Sequence, residues 1–247
     1  MIEAFRLGIY SRGATLWDGV DLAFESGSVG VVSGPASSGK TILLSVLRGE
    51  RQPDAGDVVV SGESLYRGNA AAARSFRASC GHVPDRFADP AGQTVGDLFR
   101  LSALAGGGMK EPERRERSDR LLAMLGLEGA QDWTLRSLST SERVRAALAA
   151  ELLRGPRFLF ADCVVETAGT PFREMLGGLF RALAREGNTI VLAERRLPER
   201  WEAIAGEAKA AGPFRVYRLQ VHPAGSAARP SDPPSTAGNV AGKGGSG

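Results

Sequence analysis

Apolar positions fall along this chain in short bursts, and their spacing switches between two periods. Residues 4–10 and 20–26 alternate or cluster apolar side chains on either side of Ser11-Arg12-Gly13, a pattern of two strands around a turn. Residues 28–33, Ser-Val-Gly-Val-Val-Ser, predict a short buried strand that leads into a glycine-rich loop. A helix is expected over 40–48, with Ile42, Leu43, Val46 and Leu47 on its packed side. Asp57-Val58-Val59-Val60 predicts another strand, ended by Ser61-Gly62. Helical spacing returns over 94–104, 112–125 and 141–153. Residues 157–162 and 189–193 read as strands, each following a helix, and Phe214 to Val221 as a last strand. Strands alternating with helices predict an α/β fold with a mainly parallel sheet covered on both faces. From about residue 223 the chain is Pro, Gly, Ser and Ala with few charges. Such a segment cannot bury enough apolar surface to offset its ordering entropy, so a disordered tail is expected over 222–247. No internal repeat is present.

Composition changes this picture little. The chain has 247 residues, 43% hydrophobic and 24% charged, ordinary for a globular protein. The formal net charge of +3 gives no argument for nucleic acid, and the charged stretch from Glu111 to Arg120 mixes both signs as a solvated helix face does. Two cysteines, Cys80 and Cys163, are too few for a disulfide scaffold, which points to a reducing compartment. No run of about 18 apolar residues occurs, so no direct membrane insertion is expected. The first residues, Met-Ile-Glu-Ala-Phe-Arg, lack the shape of a signal peptide, and a cytoplasmic location is expected. Only Lys40, Lys110, Lys209 and Lys243 are lysines among 31 basic residues, so a lysine in a special place is informative.

Lys40 is in such a place. Gly34-Pro35-Ala36-Ser37-Ser38-Gly39-Lys40-Thr41 meets the pattern G-x-x-x-x-G-K-[ST]. Backbone amides of such a loop point into one concavity and cradle phosphates, and the helix that starts there adds its positive dipole end. The lysine reaches the β- and γ-phosphates, and the Thr41 hydroxyl ligates Mg²⁺. The preceding buried strand and following apolar-faced helix supply the context that the motif requires, and ATP is the expected nucleotide. A phosphate loop of this kind needs a second acid on a neighbouring strand for the magnesium shell. Asp162, ending Phe158-Leu159-Phe160-Ala161, fits that role, with a turn or capping aspartate as the bland alternative.

The order of further segments resembles the ATP-binding subunits of ABC transporters over about residues 1–221. Tyr10 lies 24 residues before Gly34, where that family places an aromatic that stacks on adenine. Arg51-Gln52-Pro53-Asp54-Ala55-Gly56-Asp57-Val58 looks like the family's segment between phosphate loop and next strand, and Gly81-His82-Val83-Pro84 like the approach to its glutamine loop. Leu138-Ser139-Thr140-Ser141-Glu142 stands where the signature Leu-Ser-Gly-Gly-Gln/Glu belongs. Arg145 and Leu152-Leu153-Arg154-Gly155-Pro156 continue the likeness into Asp162. Within the family the lipoprotein-release and cell-division (FtsE-like) subgroup is most similar. The resemblance implies an ABC-type P-loop domain over 1–221, with a small antiparallel β subdomain and a helical signature subdomain over about 86–156. It also implies ATP and Mg²⁺ as ligands, a homodimer or heterodimer with another ATP-binding subunit, a transmembrane permease partner, and a place at the inner face of the membrane through that partner.

Departures from the family pattern fall on the groups that do chemistry. The family's general base, directly after the Walker B aspartate, is Cys163 here, and a thiol is a poor base for water at neutral pH. The switch histidine is replaced by Arg195, which can contact a γ-phosphate but does not readily give up its proton. The glutamine-loop residue is Asp85, a further candidate magnesium ligand. Thr140 and Ser141 replace two glycines, and Gly169 stands at the D-loop aspartate position. The pattern implies a chain that binds ATP with weak or absent hydrolysis. Glu166 and Glu194 are candidate substitute bases, against the plainer reading of surface or loop glutamates. An active ATPase using such acids, and a non-catalytic regulatory or scaffold module that keeps the fold, stay open as alternatives. Cys80 reads as a small packed residue, and His82 lacks companions for a metal.

Overall fold

A computed structural model describes residues 1–11, 14–85 and 92–196, together with the backbone of 214–218. In chain order the strands and helices are β1 (Ile2–Ser11), β2 (Ala14–Phe24), β3 (Val29–Ser33), α1 (Lys40–Leu47), β4 (Ala55–Val60), β5 (Glu63–Ser64), α2 (Ala70–Ala78) and β6 (Cys80–Val83). Then come α3 (Val95–Ala105), α4 (Glu111–Met124), α5 (Thr140–Leu153), β7 (Phe158–Asp162), α6 (Val164–Thr167), α7 (Thr170–Arg185), β8 (Thr189–Glu194) and β9 (Phe214–Arg218). The expected turn residues Arg12 and Gly13, the first residues of the expected helical subdomain, the end of the expected last strand and the tail from 222 lie outside the described residues.

Two sheets form. One is antiparallel, in the order β2-β1-β4-β5; the other is parallel, in the order β6-β7-β8-β3-β9. Strict alternation along the parallel strands divides the core in two, because successive side chains point to opposite faces. Val31, Leu159, Ala161, Ile190 and Leu192 pack with helices α3 to α7. Val32, Phe158, Phe160, Val191 and Ala193 pack with the antiparallel sheet, α1 and α2. This is the expected α/β architecture with its antiparallel β portion, and α3, α4 and α5 stand together between β6 and β7.

The differences from the sequence pattern are local. On α1 the buried apolar set is Leu43, Leu44, Val46 and Leu47, with Ile42 only partly buried. Helix α2 was not expected: four consecutive alanines carry no period, and only Ala73 and Phe76 are buried. Its start is nonetheless set by Asn69, whose side chain accepts the Ala71 N–H at 2.8 Å. Strand β6, Cys-Gly-His-Val, is too short and mixed to show alternation, and it forms by parallel pairing with β7.

Candidate functional site

Strand β3 is buried along its whole length and delivers the chain to Gly34. The loop then turns tightly, with Ser37 at φ 62° and Gly39 at φ 86°. Gly39 has to be glycine. A Cβ there would meet Trp17 Nε1 at 2.6 Å, in a backbone conformation that side chains rarely adopt. The Trp17 indole N–H donates to the Ser38 carbonyl at 2.9 Å and fixes that peptide. Lys40 opens α1 and is nearly buried, at 6% exposure. Its ammonium donates to the Gly34 and Pro35 carbonyls, both at 2.7 Å, and to Ser38 Oγ at 3.2 Å, so the cation lies across the mouth of the loop. Pro35, Ala36 and Ser37 are exposed.

Asp162 ends β7 and is buried. The Thr41 hydroxyl donates to its carboxylate across 121 residues of sequence. Burial raises the Asp162 pKa, an effect opposed by the Thr41 hydrogen bond. Two hard oxygen donors in contact beside a phosphate-binding loop fit Mg²⁺, which takes one or two protein oxygens and keeps waters and phosphate oxygens for the rest. No group of three or more His, Cys, Asp or Glu residues suited to a metal occurs among the described residues.

Around this pair stand Cys163, Asp85, Arg195, Glu166 and Glu194. Cys163 follows Asp162 at φ 54°, is 4% exposed, and has its thiol pushed up to about 12, first by burial and then by the charges of Asp162, Glu194 and Asp85. It is a protonated group at neutral pH. Asp85 is half-buried and faces Arg195 at 3.9 Å. Glu166 is exposed on α6. Glu194 is neither a surface nor a loop glutamate, against expectation. It ends β8 at 1% exposure, and its carboxyl group accepts the N–H of Val165 at 2.9 Å and of Glu166 at 3.2 Å. Burial first, then the charges of Glu166 and Asp162, push its pKa up to about 8 against those two hydrogen bonds.

The signature segment is built apart from the phosphate loop. Leu138 is buried, while Ser139 caps α5 and forms a reciprocal box with Glu142. The Ser139 hydroxyl donates to Glu142 Oε2 at 2.7 Å, and the Glu142 carboxylate accepts the Ser139 N–H at 2.8 Å. Thr140 is exposed, and the Ser141 hydroxyl donates to the Ala168 carbonyl at 2.7 Å. Arg145 ties α4 to this helix: it donates to the Leu125 carbonyl at 2.6 Å and lies over the Phe172 ring. Tyr10 stands 44% exposed, its hydroxyl donating to Asp18 at 3.3 Å; the aromatic that touches the phosphate loop is Trp17. The sequence pattern did not reveal Trp17 or the burial of Glu194. The only signal for the second was a carboxylate directly ending a run of five apolar or β-branched residues.

A cavity of about 420 Å³ lies elsewhere, lined by Arg48, Arg77, Arg154, Cys80, His82 and their neighbours. The three arginines sit at the C-terminal ends of α1, α2 and α5, where cations offset the helix dipole. Arg48 and Arg154 pair with Glu50 and Glu151. Arg77 donates to the Gly49 carbonyl at 3.3 Å, and the buried Nε atoms of Arg48 and Arg154 have no hydrogen-bond partner among the described residues.

The sequence profile of the ABC transporter family matches residues 17–164. The chain is 31% identical over 184 residues to the energy-coupling factor transporter ATP-binding protein EcfA1 of Thermotoga maritima, a match that covers 72% of this chain and 66% of that protein. It is 31% identical over 143 residues to the methionine import ATP-binding protein MetN of Protochlamydia amoebophila, covering 58% of this chain and 42% of that one. The matched part is thus under two thirds of either protein's own length. The dimeric structure of MJ0796, a bacterial ABC transporter cassette, superimposes with a TM-score of 0.71 at 20% identity, covering 88% of this chain and 94% of that one, which is a likeness of fold. Among the described residues, no helix is long and apolar enough to cross a membrane.

Proposed function

The chain belongs to the ABC transporter family, and on that premise we propose that it is an ATP-binding subunit that holds Mg·ATP and hydrolyses it weakly or not at all. One observation carries the reading: a complete phosphate loop with the Thr41–Asp162 pair stands beside a buried, protonated Cys163 at the position of the base. The loop amides and Lys40 bind the phosphates, and Thr41 and Asp162 hold the magnesium, with Asp85 close to its shell. The ion, when bound, neutralises phosphate charge. Cys163 accepts no proton from water, and Arg195, paired with Asp85, presents a fixed cation where the switch histidine would stand. Tyr10 takes the adenine side. Residues 138–142 face a second ATP-binding subunit, identical or paralogous, and a transmembrane permease anchors the pair at the inner face of the membrane. A place in the FtsE-like subgroup and loss of catalytic function belong to the same reading.

Binding and turnover of Mg·ATP by the purified chain test it. Ordinary enzymes turn over at about 10 s⁻¹. Loss of a positioned base costs roughly 10²–10⁴ in rate, so turnover should fall below about 0.1 s⁻¹ while Mg·ATP still binds. Ordinary turnover would refute the reading, and absent binding would favour a scaffold that has kept only the fold.

A further inference from the structure

Three sets of N–H donors converge on the last two residues of β8. The N–H of Gly34, which opens the phosphate loop, donates to the Glu194 main-chain carbonyl at 3.2 Å. The Cys163 N–H donates to the neighbouring Ala193 carbonyl at 2.7 Å. The Glu194 carboxyl group takes the N–H groups of Val165 and Glu166. Those two donors belong to the first turn of α6, a helix of four residues.

So short a helix cannot hold itself, because nucleation costs more than one turn of hydrogen bonds returns. Its opening N–H groups need partners from elsewhere. Cys163, the residue in the cap position, supplies none from its side chain. Glu194 does the capping instead, from a different strand. The other end of α6 is held as well. Ala168 is its C-cap, and the Ala168 carbonyl accepts the hydroxyl of Ser141 in the first turn of α5. Helix α6 is therefore clamped between a side chain that shares its residue with the phosphate-loop anchor and a side chain on the signature helix. With both carboxyl oxygens engaged by interior amides, Glu194 is turned away from any water it could activate.

We propose that Glu194 is a positioning residue that locks the phosphate loop to α6, so that Mg·ATP at the loop is felt at Ala168 and, through Ser141, at the start of α5. The proposal rests on the phosphate loop being an ATP site and adds to it a route within one subunit. The route is a two-site coupling with a named bridge, which makes it measurable as a change at one end caused by a ligand at the other.

Hydrogen exchange of segments 163–168 and 139–145, with and without Mg·ATP, reads the coupling in the full chain, alongside the Kd for Mg·ATP. The ratio of exchange with and without nucleotide is the quantity of interest, because a purely structural loss raises both rates together. In the wild-type chain Mg·ATP should slow exchange in both segments about tenfold or more. Glu194→Ala should still bind Mg·ATP, within about tenfold of wild type, and lose most of that slowing in both segments. Glu194→Gln, which keeps the shape and one acceptor, should show an intermediate loss, and it serves as the test if the alanine variant does not fold. Lys40→Ala should lose binding and slowing together. Wild-type binding with full slowing retained in the Glu194 variants overturns this proposal alone. A wild-type chain that binds no Mg·ATP overturns it together with the ATP reading.

Discussion

Replacing Glu194 by glutamine should change how stability depends on pH, and the size of the change follows from the burial of that one carboxyl group. Its pKa is pushed from the ordinary 4.5 to about 8. Every tenfold change in proton affinity corresponds to about 1.4 kcal/mol between protonation states, so the full effect is at most about 5 kcal/mol. Proton counting gives the sign. Between pH 4.5 and 8 the folded chain keeps the Glu194 proton and the unfolded chain has lost it, so stability falls as pH rises through this window. The groups facing Glu194 are Glu166 on α6 and Asp162 on β7, both acidic, and neither offers a cation that would reverse the sign. Glutamine cannot ionise. It does set an N–H₂ against one of two buried N–H groups, a cost of about 1–3 kcal/mol that is the same at every pH. Urea unfolding of both proteins from about pH 5 to 9, followed by circular dichroism, isolates the Glu194 contribution, because every other carboxylate is common to the pair. The stability of wild type relative to Glu194→Gln should decline by several kcal/mol between about pH 5 and 8.5 and then level off. Parallel curves across that range would show that Glu194 is ionised in the folded state throughout, and the burial argument would fail.

Other variants read other parts of the site. Lys40→Ala should weaken Mg·ATP binding by about a hundredfold or more in calorimetric titration, since it removes the ammonium that lies across the loop mouth. Cys163→Glu combined with Arg195→His should raise phosphate release by about a hundredfold over the parent, as a positioned base typically contributes roughly 10²–10⁴; no rise would place the defect in Thr140, Ser141 or Asp85 as well. Ser139→Ala should cost about 0.5–2 kcal/mol in denaturant unfolding, the ordinary loss of an N-cap, with no effect on the affinity of the isolated subunit for Mg·ATP.

The phosphate loop was legible because its information is contiguous. Eight residues carry the motif, and the flanking strand and helix are each decided by local spacing. Long buried strands were legible for the same reason: β7 and β8 are apolar on both faces, as parallel strands between two layers must be. What escaped the sequence depends on neighbours brought by the sheet. Trp17 meets Ser38 because β1 and β2 fold back over the loop, 21 residues away. Glu194 meets Val165 because β7 and β8 run parallel, 29 residues apart. Arg195 meets Asp85 only because β6, β7 and β8 are adjacent. A glutamate that ends an apolar run can be solvated or buried, and the run alone does not separate the two. Only the pairing decides.

The residues around the phosphate loop make more sense as a set than one by one. Taken formally, Asp162 and Asp85 bring two negative charges to the edge of the site, and Lys40 and Arg195 bring two positive ones, so these charges cancel before a nucleotide arrives. Cys163 adds no charge at neutral pH, and Glu194 holds its proton up to about 8. A glutamate in place of Cys163 would add a charge beside Asp162 and Glu194, in a buried position where like charges are poorly screened. That repulsion would act on the same α6 amides that Glu194 now holds. The neutral thiol and the protonated Glu194 are thus mutually compatible, and a glutamate at position 163 alone would disturb the cap. The single change Cys163→Glu should consequently cost more stability at about pH 8 than at about pH 6, and adding Glu194→Thr, which removes one of the competing acids, should reduce that difference. If the cost of Cys163→Glu is the same at both pH values, the two positions are electrostatically independent.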